Sequence, residues 1–265
     1  MRNLVPSLLF FLLLCLNMPL AAQKQFAQQP ASTRTLIAIK VAGSKRYSEQ
    51  TIAAASGLNL GTVVTEDDFK SAARRLGDLG VFTDVGYSYS FASTGTKLTF
   101  QVSDVSKFVP VRFEDFVWFS DEELLKRIKQ SAPMFDGELP EFGKMADQVS
   151  DVLQAMLVER SISGHVEYVR SGQGEDPGVV YQVANVVIQI RNVGFTGAAE
   201  PDIPALKAAA QRVFDREYSR SVLSALVQHQ LLPVYHSRGY LKAAFGPPEP
   251  KVVKQPSESN DAGIP

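Results

Sequence analysis

Leu76-Gly77-Asp78-Leu79-Gly80-Val81-Phe82-Thr83-Asp84-Val85 joins the end of an amphipathic helix to a glycine stop and the first residues of an alternating strand, and the rest of the chain's order is read outward from it. Upstream, Phe69, Ala72, Ala73, Leu76 and Leu79 form one helical stripe. Thr65 with Asp68 three positions on resembles a capping box with a shorter acid. A shorter helix precedes it, capped by Ser48, running through Ile52 and Ala55 and stopped at Gly57. Before that, Ile37, Ile39 and Val41 alternate with Ala38, Lys40 and Ala42 up to Gly43, which is a half-buried strand. Downstream, Val85, Tyr87, Tyr89 and Phe91 alternate with small residues. A turn at Ser93-Thr94-Gly95 then leads to Leu98, Phe100 and Val102, completing a hairpin. The order is strand, helix, helix, strand, strand, with the helices on one face of the sheet.

The cycle starts again twice. In the second, Val109, Val111 and Phe113 form the strand, followed by the aromatic run Phe116-Val117-Trp118-Phe119, which is expected to pack in a core or junction. Ser120 and Glu123 give a full capping box, with Leu124, Leu125 and Ile128 on the helix and Pro133 ending it. Met134 to Phe142 reads as an irregular loop. A helix then carries Met145, Val149, Val152, Leu153 and Met156 and closes at Ile162-Ser163-Gly164, before a hairpin of 165–169 and 179–186. In the third, Ile188, Ile190, Val193 and Phe195 precede Gly197, with helices around Leu206 and around Val222, Leu223 and Leu226. Pro233 predicts a kink or break in the second of these helices. Leu241 to Phe245 would be the middle strand, and Gly246-Pro247-Pro248 prevents a third strand directly after it. The expected architecture is α+β: tandem βααββ modules, each a three-stranded mixed sheet with two helices on one face. The bounds are 36–106, 107–187 and an incomplete third module, 188–250.

At 265 residues and 45% hydrophobic content the chain can bury several cores, but cycles of about 70 to 80 residues are near the lower limit of independent stability. A net charge of −1 argues against bulk attraction to nucleic acid or an acidic membrane surface. Arg2, the apolar block Leu4 to Leu16 and the small residues Ala21-Ala22 read as a secretory signal over residues 1–22, the block being shorter than the roughly 20 residues of a membrane span. Residues 23–35 read as a flexible leader and 251–265 as a disordered tail. The one cysteine, Cys15, lies inside the signal.

The stretches Ile37 to Gly43, Leu76 to Val85, Leu98 to Val102 and Tyr235-His236-Ser237-Arg238-Gly239-Tyr240 resemble the POTRA (polypeptide-transport-associated) domain. The resemblance covers roughly 36–245 and is strongest in the first cycle; the second lacks the Gly-Val-Phe exit. It implies an edge strand whose unpaired backbone groups add an extended guest with little regard to its side chains. The edge positions are Tyr87, Ser88, Tyr89, Ser90 and Phe91 in the first cycle. They are His165, Val166, Glu167, Tyr168 and Val169 in the second, and Leu241, Lys242, Ala243, Ala244 and Phe245 in the third. The implied partners are unfolded outer-membrane barrel segments or barrel-assembly proteins, with a β-barrel continuing the same protein as a further possibility. The implied location is the periplasm, at the outer membrane, and no nucleic acid is expected. A membrane-anchored, division-type POTRA interaction protein is an alternative, and a periplasmic hydrolase or ligand binder a third.

No enzyme, cofactor or metal is expected. Gly172 to Gly178 lacks the spacing of a phosphate-binding loop and is assigned to a hairpin. His229 and His236 are seven apart with Pro233 between them and no third ligand in register.

Overall fold

The computed structural model describes residues 31–171 and 177–253; the expected signal segment lies outside these residues, as does most of the tail. By contacts the chain falls into two compact units, one running to Lys107 and including Pro140–Met145, the other comprising Phe108–Leu139 and everything from Ala146.

The first unit contains β1 (Leu36–Ala42), α1 (Glu49–Ser56), α2 (Glu66–Asp78), β2 (Phe82–Ala92) and β3 (Gly95–Asp104). The sheet order is β1-β3-β2, with β1 parallel and β2 antiparallel to β3. This is the three-stranded mixed sheet the sequence implied. Alternation turns Leu98, Phe100 and Val102 of β3 toward the helices, where they are buried with Ile52, Phe69 and Leu76. The ring of Phe69 lies against Tyr87 and Tyr89 at 6.2 and 5.4 Å. The residues between them, Ser88, Ser90 and Gln101, point the other way and are exposed.

The caps are formed as their chemistry requires. Ser48 accepts the N–H of Thr51, and Gly57 takes φ of +73° to end α1. Thr65 accepts from Asp68 N–H while the Asp68 carboxylate accepts from Thr65 N–H at 2.7 Å, a closed capping box. The leader expected to stay flexible to residue 35 is instead tied down at its end. Thr35 carbonyl accepts from Thr96 N–H, Arg34 carbonyl accepts from Val64 N–H, and the buried Thr96 hydroxyl donates to Thr33.

The second unit begins with β4 (Phe108–Phe113), α3 (Asp121–Ser131), β5 (Glu138–Pro140), α4 (Met145–Glu159), β6 (His165–Ser171) and β7 (Gly178–Ala184), in sheet order β5-β4-β7-β6. Three local expectations are corrected. The supposed loop from Met134 to Phe142 contains β5, which extends the sheet beyond β4, with Val111 N–H donating to Gly137 carbonyl. The Ser120 box is only half made: Ser120 accepts from Glu123 N–H, but the Glu123 carboxylate accepts from Arg160 at 2.6 Å instead of turning back. α4 is ended not by Gly164 but by Ser161 at φ of +56°, which lets Ile162 N–H reach Leu157 carbonyl.

The helices in the rest of this unit are α5 (Ile203–Ala210), α6 (Arg220–Leu226) and α7 (Leu232–His236), the last two joined by a π-helical turn, Val227–Leu231. That turn is the break foreseen at Pro233, displaced toward the N-terminus. A proline ring collides with the carbonyl four residues back and offers no N–H, so the preceding turn widens to accept it. Leu206, Ala210, Leu226 and Leu231 form one core with Val117, against which Trp118 packs. Polar pairs fix the same junction, Arg220 bonding to Asp121 and Ser221 N–H donating to the Glu114 carboxylate at 3.0 Å.

Gly80 has φ of +82°, and a Cβ there would lie 2.0 Å from the carbonyl oxygen of Phe142, a residue of the same unit. Gly80→Val therefore meets both left-handed strain and a backbone collision. We expect a loss of at least ~2 kcal/mol, seen as a drop in Tm of roughly 8 °C or more for this unit; an unchanged Tm would show that the cap does not need glycine.

Candidate strand-docking edges

β2 ends the first sheet and β6 ends the second. In antiparallel pairs the backbone groups of successive residues alternate between the partner strand and the outer side. The phase is set by fixed points. Thr96 N–H donates across to Thr35, away from β2, so its opposite residue Phe91 also turns its backbone away from β3. Alternation then turns the backbone of Tyr89, Tyr87 and Val85 outward and that of Ser88 and Ser90 inward. Ser88 and Ser90 are thus corrected as edge contacts: their polar side chains are exposed, but their N–H and C=O belong to the internal ladder.

The same phase recurs in the second sheet. Val183 N–H leaves the β6 ladder to donate to the Asp115 carboxylate at 2.8 Å, and its opposite residue Val166 donates outward to Gln154 Oε1 at 2.9 Å. Val166, Tyr168 and Arg170 therefore carry the outward backbone, while His165, Glu167 and Val169 bond to β7. Sequence reasoning did not find the role of Gln154. Its amide also donates to Gly164 carbonyl at 3.2 Å, so one side chain from α4 stands where a neighbouring strand would at the start of β6. A glutamine beside the apolar stripe of Met145, Val149, Val152, Leu153 and Met156 was the available signal. The segment beyond this amide is centred on Tyr168, whose hydroxyl donates to Asp147 at 2.6 Å and whose ring lies 5.4 Å from that of buried Tyr181.

The third expected edge is not formed. Leu241 and Lys242 lie in a turn, and Ala243, Ala244 and Phe245 have no regular structure. Leu241 is 76% exposed, and Ala243 N–H donates to Tyr240 carbonyl in a local turn. The Phe245 ring folds back to 6.0 Å from Tyr235. A strand needs a paired neighbour, and no strand of the described residues lies beside this stretch.

Asp115, half-buried, stands on the flank of β7 away from β6. Burial above all, with the neighbouring carboxylates Glu114 and Glu217, raises its carboxyl above the ordinary carboxylate range despite the Val183 hydrogen bond. A cleft of about 200 Å³ between α3 and α4 has Phe119 and Met156 at its floor and is crossed by the Arg160–Glu123 and Arg127–Glu159 pairs. Arg160 lies 4.3 Å above the Phe119 ring. Among the described residues no three His, Cys, Asp or Glu are grouped to hold a metal, and no helix is long and apolar enough to cross a membrane.

No family model and no curated protein matches the chain. Among solved structures, it is similar to the N-terminal domain of Omp85 from Thermosynechococcus elongatus, with 14% identity over 75% of this chain and 85% of that one, at a TM-score of 0.28. POTRA1-3 of the periplasmic domain of Omp85 from Anabaena gives 14% identity, 77% and 85% coverage and a TM-score of 0.27. POTRA3-5 of BamA from Haemophilus influenzae gives 16% identity, 77% and 87% coverage and a TM-score of 0.27.

Two outcomes are expected from the edge chemistry. Gln154→Ala removes two neutral hydrogen bonds and should cost about 1–2 kcal/mol while speeding hydrogen exchange at Val166 N–H at least tenfold; unchanged exchange there would show that the amide does not close the edge. Asp115 has a raised carboxyl pKa in the folded state, so the native state holds the proton longer than the unfolded chain, and stability falls as pH rises through that interval. Asp115→Asn keeps an oxygen for Val183 N–H without the desolvated charge. It should be more stable than the parent at pH 7 and lose this part of the pH dependence, as measured by urea denaturation between pH 4 and 7.

Proposed function

We propose that this chain is a periplasmic scaffold with POTRA-like modules that holds extended segments of outer-membrane barrel proteins, or of barrel-assembly partners, by adding them as strands to its sheet edges. The carrying observation is the position of β6: it is terminal in its sheet, its core-facing side is fixed by Tyr168 on Tyr181, and its backbone at Tyr168 turns outward. β2 repeats the arrangement through Tyr87. Recognition through backbone groups suits guests of varied sequence, because an N–H and C=O row is the same in all of them. Export is supported by the sequence from Arg2 to Ala22. On the opposite flank the residue before β1, Thr35, is bridged to Val63, and β4 carries the short strand β5.

The test separates backbone pairing from side-chain loss. Tyr87→Ala with Tyr168→Ala keeps both outward N–H groups, whereas Tyr87→Pro with Tyr168→Pro removes them without removing a ladder bond. Binding of an unfolded barrel segment, read by photocross-linking, should be at least tenfold weaker in the proline pair than in the alanine pair. Equal binding by the two, with both folded by circular dichroism, would overturn edge pairing.

A further inference from the structure

The third cycle repeats the opening of the first, hydrogen bond for hydrogen bond. In the first unit, Leu36 N–H donates to Thr62, Gly61 N–H donates to Leu36 carbonyl, and Val64 N–H donates to Arg34, around a bridge of Thr35 to Val63. In the third cycle, Ile190 N–H donates to Arg216, Asp215 N–H donates to Ile190 carbonyl, and Tyr218 N–H donates to Ile188, around a bridge of Gln189 to Glu217. The left-handed residue of the first set, Gly61, becomes Asp215 at φ of +60°. The helix cap Thr65 becomes Ser219, two residues after the bridge in both. Buried Ile52 and Leu36 become buried Leu206 and Ile190.

One constant shift in numbering thus relates strand start, both helices and cap. The same shift carries Ile39, Val41 and Gly43 onto Val193, Phe195 and Gly197, and Gly43 and Gly197 both have positive φ. In the first unit this strand pairs along its whole length with β3, beginning where Thr35 carbonyl accepts Thr96 N–H. In the third cycle Gln189 occupies the place of Thr35, yet among the described residues no strand lies on that side, and 191–197 do not form a strand. Val193 and Phe195 are half-buried against the helical core. The first strand of this cycle has its alternating residues and terminal glycine in place but, among the described residues, no central neighbour in the position that β3 fills in the first unit.

We infer that the third cycle binds a partner protein's extended segment in the position of β3, running parallel to residues 189–196 and received first at the Gln189 carbonyl. The chain supplies the description of the occupant. Both complete sheets fill this position with a strand carrying apolar residues at alternate places, Leu98, Phe100 and Val102 in one and Val179, Tyr181 and Val183 in the other, all buried. The guest is accordingly an amphipathic strand of that pattern, its apolar side closing over Val193, Phe195 and the helices. This site goes beyond the edges proposed above: it needs neither β2 nor β6, and it places the guest in the middle of a sheet rather than at its margin.

The probe is a synthetic peptide of residues 95–104, the chain's own central strand, added to the full chain. Trp118, the one tryptophan of the sequence, packs against this core and reports binding by fluorescence. Hydrogen exchange should slow at least tenfold at amides between Gln189 and Phe195. A peptide with Leu98, Phe100 and Val102 replaced by Ser, and one N-methylated at alternate amides, should each bind at least tenfold more weakly, with the protein unaltered. Absence of protection at 189–195 at millimolar peptide overturns the inference. So does protection confined to Tyr87–Phe91 or Tyr168, which would leave edge pairing intact. Protection of 191–195 without peptide, beyond the Ile190 N–H already bonded to Arg216, also overturns it, assigning that position to a second copy if it grows with protein concentration and to this chain's own residues if it does not.

Discussion

The two sheets of the described fold depend on a central strand bonded on both sides. β3 and β7 each take a parallel neighbour on one flank and an antiparallel hairpin partner on the other, and each buries every second side chain under the helices. Backbone polar groups removed from water must be paired, and only a strand in the middle of a sheet pairs all of its own while giving two neighbours half of theirs. Where that strand is present, the flanking alternating sequences become strands. Where none is found among the described residues, as beside Ile190 to Phe195, an equally strand-like sequence stays irregular.

A second, smaller constraint recurs in each cycle: the first strand's outer flank is closed by the segment that enters the second helix. It is one bridge at Thr35 and Val63, another at Gln189 and Glu217, and the short strand β5 beside β4. The positive φ of Gly61 and Asp215 turns the chain so that this segment can run back along the strand. The hairpin strands β2 and β6 have no such segment beside them among the described residues, and these are the margins on which the proposed function adds a guest.

At that margin the side chains and the backbone do different work. Tyr87, Tyr89, Val166 and Tyr168 put their side chains toward the helices and their peptide groups toward the outer side, so substitution of the ring and blockage of the N–H are separable. Gln154 covers the first part of β6 with its own amide, which protects a strand margin without a proline or a charge. Asp115 does the opposite on the other flank of β7, taking up the Val183 N–H at the cost of a desolvated carboxylate.

Elements whose cause is local were legible in the residues alone. Ser48, Thr65 and Ser120 mark helix starts because a short oxygen-bearing side chain reaches the free N–H two or three residues on, and Gly57 and Gly80 mark stops because a left-handed residue costs glycine little. The period-two runs at Ile37–Val41 and Leu98–Val102 and the helical stripe from Phe69 to Leu79 set the order strand, helix, helix, strand, strand. What depended on distant neighbours was decided only in three dimensions. Glu123 served Arg160 rather than its own cap, Glu138–Pro140 became a strand because β4 offered it a flank, and Leu241–Phe245, with the same apolar content as a strand, was left without one. The outward phase of Tyr87 and Tyr168 belongs to this second class, because alternation along a strand says which residues share a face but only the hydrogen bonds of Thr96 and Val183 to their other neighbours say which of them present the backbone to a guest.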